Sequence, residues 1–376
     1  MGFSVGVPKE QKPGEQRVSL TPKGTKYLSE RGIDVYIEKN AGLLSGFSNL
    51  EYEKAGSILV SDAKTLWNKA QLVKKVKEPV EKEFSFFTPQ HIIFSYLHLA
   101  SPSAKPLILA LKKSKATAIA YETVQKGKEM PLLSPMSEVA GALAAYYGAI
   151  FQNHIKIEDA QIKGIPEVRV AMVRAASYYP AVPDIKYRGK VLILGGGHVG
   201  KNAAEMIAQM GGEVWVSEVS VERRRQLNSE MVSVNVINPS NLEQYHKCLS
   251  EADIIIGAVH TIGKRAPLVI DQDLLKKISH QKTKIILDIS IDQGGNIAES
   301  EPRDYERPLY LDSFGNLRFS VTNIPSFCGR GASEALEVAS LEYTNQLARG
   351  LNRALQIFPE LKSGVNVLKG EMVISY

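Results

Sequence analysis

Up to about residue 130, short apolar runs alternate with stretches of helical periodicity. The runs are 3–7, 34–37, 57–60, 70–73, 92–97 and 117–120, and helical stretches lie between several of them, for example 23–31 and 104–113. Strand and helix in alternation predict a parallel sheet with crossover helices. Residues 137–151 read differently. They are rich in Ala, Val and Leu, broken only by Gly141 and Gly148, and predict a long buried helix linking two domains. The segment 152–189, with Pro166, Pro180 and Pro183, predicts loop with at most one helix.

A second alternating pattern starts at Lys190. Residues 191–194 form an apolar strand, 195–200 a glycine turn, 201–210 a helix, 213–217 a strand and 221–229 a helix. Further strands are predicted at 232–237, 253–258 and 284–289. Residues 334–354 predict one long helix, with Leu336, Ala339, Leu341, Tyr343 and Leu347 near helical spacing, packing back on the first domain. The chain therefore reads as α/β: two Rossmann-like domains with parallel sheets, joined by long helices around an interdomain cleft. Its 376 residues agree with two domains, because single cores stop growing at roughly 250–300 residues.

Composition narrows the function classes. Hydrophobic residues make up 44% and charged residues 23%, which excludes a disordered or low-complexity chain. The net charge of +6 is small for this length and not gathered into a run, so it permits anionic substrates and argues against a nucleic-acid partner. Cys248 and Cys328, the two cysteines, make neither a disulfide framework nor a thiolate zinc site. No apolar stretch approaches the roughly 20 residues a membrane span needs. The N-terminus lacks signal-peptide character, and Gly6 stands where myristoylation needs Ser or Thr. A reduced, cytoplasmic protein with no membrane partner and no metal is expected.

The run Val191-Leu-Ile-Leu-Gly195-Gly196-Gly197-His198-Val199-Gly200 is G-x-G-x-x-G between a buried strand and a helix. Gly195 would make the tight turn. Gly197 would let backbone approach a pyrophosphate resting on the N–H groups of the helix N-terminus, and Gly200 would allow close helix–strand packing. The motif alone is weak; its context strengthens it. Glu218 ends the next strand, where an acidic side chain accepts both ribose hydroxyls of NAD and repels a 2′-phosphate. Arg223, Arg224 and Arg225 would favour NADP if they faced the ribose, but as a charge run they read as a solvated helix face. His198 and Val199 fall inside the turn, and His198 is assigned to the cofactor rim.

Three polar segments lie beside strands in the first half, where ligands gather in α/β folds. Arg17 precedes a helix start, and its guanidinium could hold a carboxylate through two parallel hydrogen bonds; the alternative is a surface arginine. Lys77 follows an apolar run and precedes Pro79. It would polarise a carbonyl or hold a carboxylate, or else be one of three solvated lysines with Lys74 and Lys75. His98 ends an apolar strand, either as a core histidine or as a proton carrier near neutral pH. In the second half, Asp288 and Asp292 share one strand face if the strand runs that far.

Several stretches together resemble the alanine dehydrogenase/pyridine nucleotide transhydrogenase α-subunit family, most of all its alanine dehydrogenase branch. They are G-V-P-K-E and R-V-S-L-T-P (6–22), V-K-E-P (76–79), F-S-Y-L-H-L-A (94–100), A-Y-E-T-V-Q (120–125), P-L-L-S-P-M-S-E-V-A-G (131–141), the glycine turn, I-G-A-V (256–259) and D-I-S-I-D-Q-G-G (288–295). The resemblance implies a substrate domain of residues 1–135 and 328–376 and an NAD domain of residues 136–327. It implies that Arg17 and Lys77 hold the 2-oxo or 2-amino acid, that His98 is the acid/base, and that Asp292 activates water or ammonia. Lys77 would also stabilise the oxyanion of a carbinolamine. Ser137 would touch the cofactor phosphates, with Val259 and Asn323 also on the cofactor. The implied reaction is NAD-dependent deamination of L-alanine to pyruvate and ammonia, and its reverse, by a homo-oligomer.

Three stretches depart from the family pattern. Residues 168–186 replace a G-G-V-P-G-V loop, Ser326-Phe-Cys-Gly-Arg330-Gly follows Asn323-Ile-Pro, and His260 replaces an apolar residue. They are expected to line the cleft and to bear on the substrate side chain. A saccharopine-type dehydrogenase, a transhydrogenase subunit and an NAD-binding regulator without catalysis are the alternative readings.

Overall fold

A computed structural model describes residues 3–155, 172, 176, 179–181, 184–260 and 265–374. The chain divides into two compact units. Unit 1 comprises Met1–Met136 and Ser326–Tyr376, and unit 2 comprises Ser137–Pro325. Among the described residues no helix is long and apolar enough to cross a membrane.

Unit 1 starts with six parallel strands: β1 (Ser4–Val7), β2 (Asp34–Glu38), β3 (Ile58–Val60), β4 (Leu72–Lys74), β5 (Ile92–Ser95) and β6 (Thr117–Ala120). Val5 pairs with Val35 on one side and Leu72 on the other, and Phe94 pairs with Ile119. Helices cross between them. The first, Pro22–Ser29, begins where Thr21 Oγ1 accepts the Lys23 N–H and proline occupies the first turn, where no intrahelical N–H bond is lost. The helix Asn49–Lys54 opens with a capping box between Ser48 and Glu51. Trp67, fully buried, packs at 5.1 Å on Phe87 beside Ile93 and Leu107 in one continuous core. Burial of each such aliphatic or aromatic side chain contributes about 1.5–3 kcal/mol.

Unit 2 carries β7 (Lys190–Leu194), β8 (Glu213–Ser217), β9 (Asn235–Ile237), β10 (Ile254–Gly257), β11 (Ile285–Asp288), β12 (Leu309–Leu311) and β13 (Leu317–Phe319). Their spatial order is β12-β13-β11-β10-β7-β8-β9, parallel except for β12. Omitting β12, this is the 3-2-1-4-5-6 order of a dinucleotide-binding sheet, and its strand order reverses between β7 and β10. The core under it joins Leu192, Ile255 and Ile286 to Leu249 and Leu275.

The C-terminal segment completes unit 1. The helix Gly329–Ala348 is tied down by buried polar groups: Ser333 Oγ accepts the Val18 N–H (2.9 Å), Glu337 accepts the Thr21 N–H and hydroxyl, and Ser340 Oγ accepts from Lys74 Nζ (2.8 Å). β14 (Val365–Leu368) pairs antiparallel with β6, and β15 (Glu371–Met372) follows as a hairpin partner, so among the described residues the sheet has eight strands.

Three expectations change. The single helix over 334–354 is two, Gly329–Ala348 and Leu351–Ile357, separated by Gly350 at φ +126°, a backbone state that only glycine adopts freely. Apolar spacing continues through the break, and that is why periodicity alone reads one helix. β11 stops at Asp288, and Asp292 sits in a following 3₁₀ turn, so the two carboxylates do not share a strand face. Lys74 and Lys75 are not solvated: both are buried, Lys75 between Glu10 (3.4 Å) and Glu83 (3.2 Å).

Candidate active site

In unit 1 the strands β6, β5, β4 and β1 end side by side, so the segments leaving them lie along one edge. Ligands bind at such carboxyl ends in parallel sheets. Lys77 leaves β4 and His98 leaves β5, and Lys77 Nζ stands 3.4 Å from His98 Nε2. His98 holds a left-handed backbone, φ +49°. Two carboxylates fix the two loops through their main-chain N–H groups. Glu122, after β6, accepts the N–H groups of Leu97 (3.1 Å) and His98 (2.6 Å). Glu10, after β1, accepts those of Val76 (2.6 Å) and Lys77 (3.4 Å). Sequence reading passed over both glutamates; their signal was a carboxylate just past a strand inside the matching stretches 6–22 and 120–125.

These contacts set the charge state of the site. Crowding by surrounding protein, then the Lys77 ammonium, lowers the His98 pKa from 6.5 to about 4, although one face of the residue is exposed; Glu78 pulls the other way. A neutral imidazole at physiological pH is a proton acceptor. Burial raises the pKa of Glu122 and of Glu10.

Arg17 is buried, not a surface arginine, at 3% exposure. Its Nε and Nη2 bind the two oxygens of Glu15 at 2.7 and 2.6 Å, so the edge expected to grip a substrate carboxylate already holds an internal one. Nη1 lies 3.1 Å from Met136 Sδ, a weak acceptor that a carboxylate would outcompete. Arg330, in the departing stretch after Asn323-Ile-Pro, folds over the Phe47 ring (4.2 Å) and donates to Gly46 O, and Cys328 is buried.

In unit 2 the glycine turn joins β7 to the helix His198–Gln209. Gly195 has φ +97°, and a Cβ there would meet Ala258 O at 2.8 Å and Val259 Cγ2 at 3.0 Å. A Cβ at Gly200 would stand 1.9 Å from Gly195 O, so helix and turn touch through this glycine. A Cβ at Gly197 would meet nothing within 4 Å. Gly197 is also the helix N-cap and offers no side-chain cap to the first N–H groups, so open space faces backbone donors. That combination fits a diphosphate.

Glu218, just past β8, accepts the N–H groups of Gly196 (2.9 Å) and Ser220 (2.8 Å), which fixes it beside the turn. Arg223 and Arg224 are not a plain solvated face: Arg223 Nε donates to Gly196 O (2.7 Å), and Arg224 donates to the carbonyls of Glu218 and Val219. Within the helix Ser134–His154, Gly141 abuts the helix His198–Gln209, for its Cβ would stand 2.3 Å from Val199 O. Ser137 lies one turn earlier on the same helical face.

At the other half of this sheet, Val259 follows β10 and is held by Asn296 and Ser290. Asp292 is exposed and accepts the Asn323 N–H at 3.0 Å, with Asn323 in a left-handed backbone, φ +53°. Asp288 is instead a buried brace: it accepts the N–H groups of Asn296 and Ile297 and the Ser300 hydroxyl. His260 is exposed. The departing stretch 168–186 lies largely outside the described residues.

Two family models match the chain. Residues 6–140 match the alanine dehydrogenase/PNT N-terminal domain, and residues 171–375 match the alanine dehydrogenase/PNT C-terminal domain. The chain belongs to the alanine dehydrogenase/PNT family. Members of that family resemble it end to end. Alanine dehydrogenase of Bacillus subtilis (strain 168) is 37% identical over 98% of this chain and 92% of its own. Alanine dehydrogenase of Staphylococcus saprophyticus is 38% identical over 98% and 94%. A solved L-alanine dehydrogenase superposes with a TM-score of 0.83 at 34% identity, covering 98% of this chain and 96% of that one. A transhydrogenase from Sinorhizobium meliloti shares the fold of the alanine dehydrogenase/PNT family at a TM-score of 0.74 and 21% identity, covering 98% of each chain.

Proposed function

We propose that this chain oxidises L-alanine to pyruvate and ammonia with NAD+ and catalyses the reverse reductive amination, and that it works as a homo-oligomer. What supports the reading is the Lys77–His98 pair, 3.4 Å apart at the carboxyl ends of neighbouring strands, in a chain of this family that also carries a dinucleotide turn.

Unit 1 holds the amino acid. Arg17 meets its carboxylate through the Nη1 side, and Lys77 Nζ meets the position that becomes the carbonyl oxygen. When bound at the glycine turn of unit 2, NAD+ supplies the acceptor for the hydride leaving the α-carbon. The residues expected to hold it are Gly195, Gly197, His198, Val199 and Gly200, with Ser137 toward the diphosphate, Glu218 on the adenosine ribose, and Val259 and Asn323 at the far end. Neutral His98 takes the proton from the amine as the imine forms. Asp292 orients the water that attacks the imine carbon. The Lys77 ammonium stabilises the oxygen of the carbinolamine, and ammonia leaves as the carbonyl forms.

The test is to make Lys77→Ala and His98→Ala and follow reduced nicotinamide by absorbance with alanine as substrate. Both should lose turnover while titrating NADH as the wild type does. Near-wild-type turnover in both would refute the assignment. A panel of the common amino acids, amines and 2-oxo acids with NAD and with NADP identifies the substrate and separates the saccharopine-type alternative.

A further inference from the structure

Asn296 is fully buried, and each of its polar atoms is engaged. Its Oδ1 accepts the Val259 N–H (2.8 Å), and its Nδ2 donates to Val259 O and Pro267 O (3.0 Å each). Its own N–H goes to Asp288 (2.8 Å), and its carbonyl accepts the N–H groups of Val269 (2.7 Å) and Ile270 (3.1 Å). One side chain thus pins the main chain on both flanks of the connection leaving β10. The pin itself is anchored to Asp288, the last residue of β11.

The place in the sheet says what this pinning serves. A dinucleotide straddles the switch point of such a sheet, one mononucleotide on each half. Glu218 follows β8, so the adenosine half lies over β7, β8 and β9. Val259 follows β10, on the other half. We infer that Asn296 is a positioning residue for the nicotinamide half of the cofactor, acting through the Val259 main chain. The inference rests on the reading that unit 2 binds NAD. The side chain itself touches no ligand; it holds the turn against which the second nucleotide rests. Without it, Val259 N–H and Pro267 O lose the bonds it makes, Val259 O keeps only the Ser290 hydroxyl, and the Val259 main chain relaxes toward water.

The experiment compares NADH with ADP, which carries the adenosine half and the diphosphate but nothing of the nicotinamide half. Both are titrated calorimetrically into wild type, Asn296→Ala and Asn316→Ala. Asn316 is an equally buried asparagine that ties the start of β11 to the β12–β13 turn through Lys284 and Asp312, so its loss reports the generic effect of removing a buried amide. Asn296→Ala should weaken NADH about tenfold and leave ADP within about twofold of wild type. Asn316→Ala should leave the ratio of the two affinities unchanged. Retained ADP binding also reports that the unit is folded. Equal weakening of both ligands by Asn296→Ala, or no weakening of NADH, would overturn the inference. A wild type that binds neither ligand would instead overturn the NAD reading beneath it.

Discussion

Gly197 and Gly200 stand three residues apart in one turn, and replacing each by alanine has opposite expected consequences. At Gly200 the new Cβ would lie 1.9 Å from Gly195 O, a main-chain atom that cannot swing aside. Ordinary contact needs more than 3 Å, so turn and helix must part by roughly 1 Å, an overpacking cost of about 1–3 kcal/mol. For a unit of this size that lowers the melting temperature by about 2–4 °C per kcal/mol. At Gly197 the Cβ meets nothing within 4 Å, and φ of −68° suits alanine. The smaller entropy of the unfolded alanine chain stabilises by about 0.4–1 kcal/mol, and the poorer N-cap offsets a similar amount. Stability of Gly197→Ala should therefore stay within about 0.5 kcal/mol of wild type. Its methyl group nevertheless enters the space where the diphosphate would approach the backbone, so NADH affinity should fall at least about tenfold, or 1.4 kcal/mol. Thermal melts without ligand and fluorescence titration with NADH measure the two effects separately. A Gly197→Ala protein that binds NADH as the wild type does would refute the reasoning, because the open space would then serve no ligand.

Two further outcomes follow from groups in unit 1. His91 is buried, with Nδ1 accepting the Thr88 N–H (2.9 Å) and Nε2 facing Trp67 O (2.8 Å), and burial lowers its pKa below 6.5. The unfolded chain then binds the proton first, so the stability tied to neutral His91 is present above about pH 6.5 and lost as pH falls below it; melting curves against pH should show this loss, and His91→Gln should flatten it. Gly350→Ala places a side chain at φ +126° with no neighbour within 4 Å, so its cost is purely conformational, about 1–3 kcal/mol by denaturant titration, and an unchanged midpoint would contradict the left-handed break.

Much of the fold is legible in the residues because each parallel strand is a short apolar run. The glycine turn is legible because its three glycines, buried strand and acidic partner recur at fixed spacing. What pattern misses is decided by partners distant in sequence. Lys74 and Lys75 look like solvated charges, yet Glu10, Glu83 and Ser340 receive them from 8–266 residues away in the chain. Asp288 looks like a second carboxylate for chemistry, yet the main-chain N–H groups of Asn296 and Ile297 claim it as the strand ends. Arg223 and Arg224 look like surface charge, yet they bond to the carbonyls of Gly196, Glu218 and Val219. Arg17 looks like a group awaiting a ligand carboxylate, yet the carboxylate on its fork is that of Glu15, two residues away.

β14 borders β6 although the whole of unit 2 separates them in the chain. During synthesis, β6 must therefore wait with an open edge while the complete second unit is made and can fold. Unit 2 is continuous in sequence and needs no such delay. Unpaired strand edges invite association with other chains, so the interval before residues 365–368 emerge is when a nascent chain is most exposed to aggregation. Truncation just before Val365 would make that interval permanent.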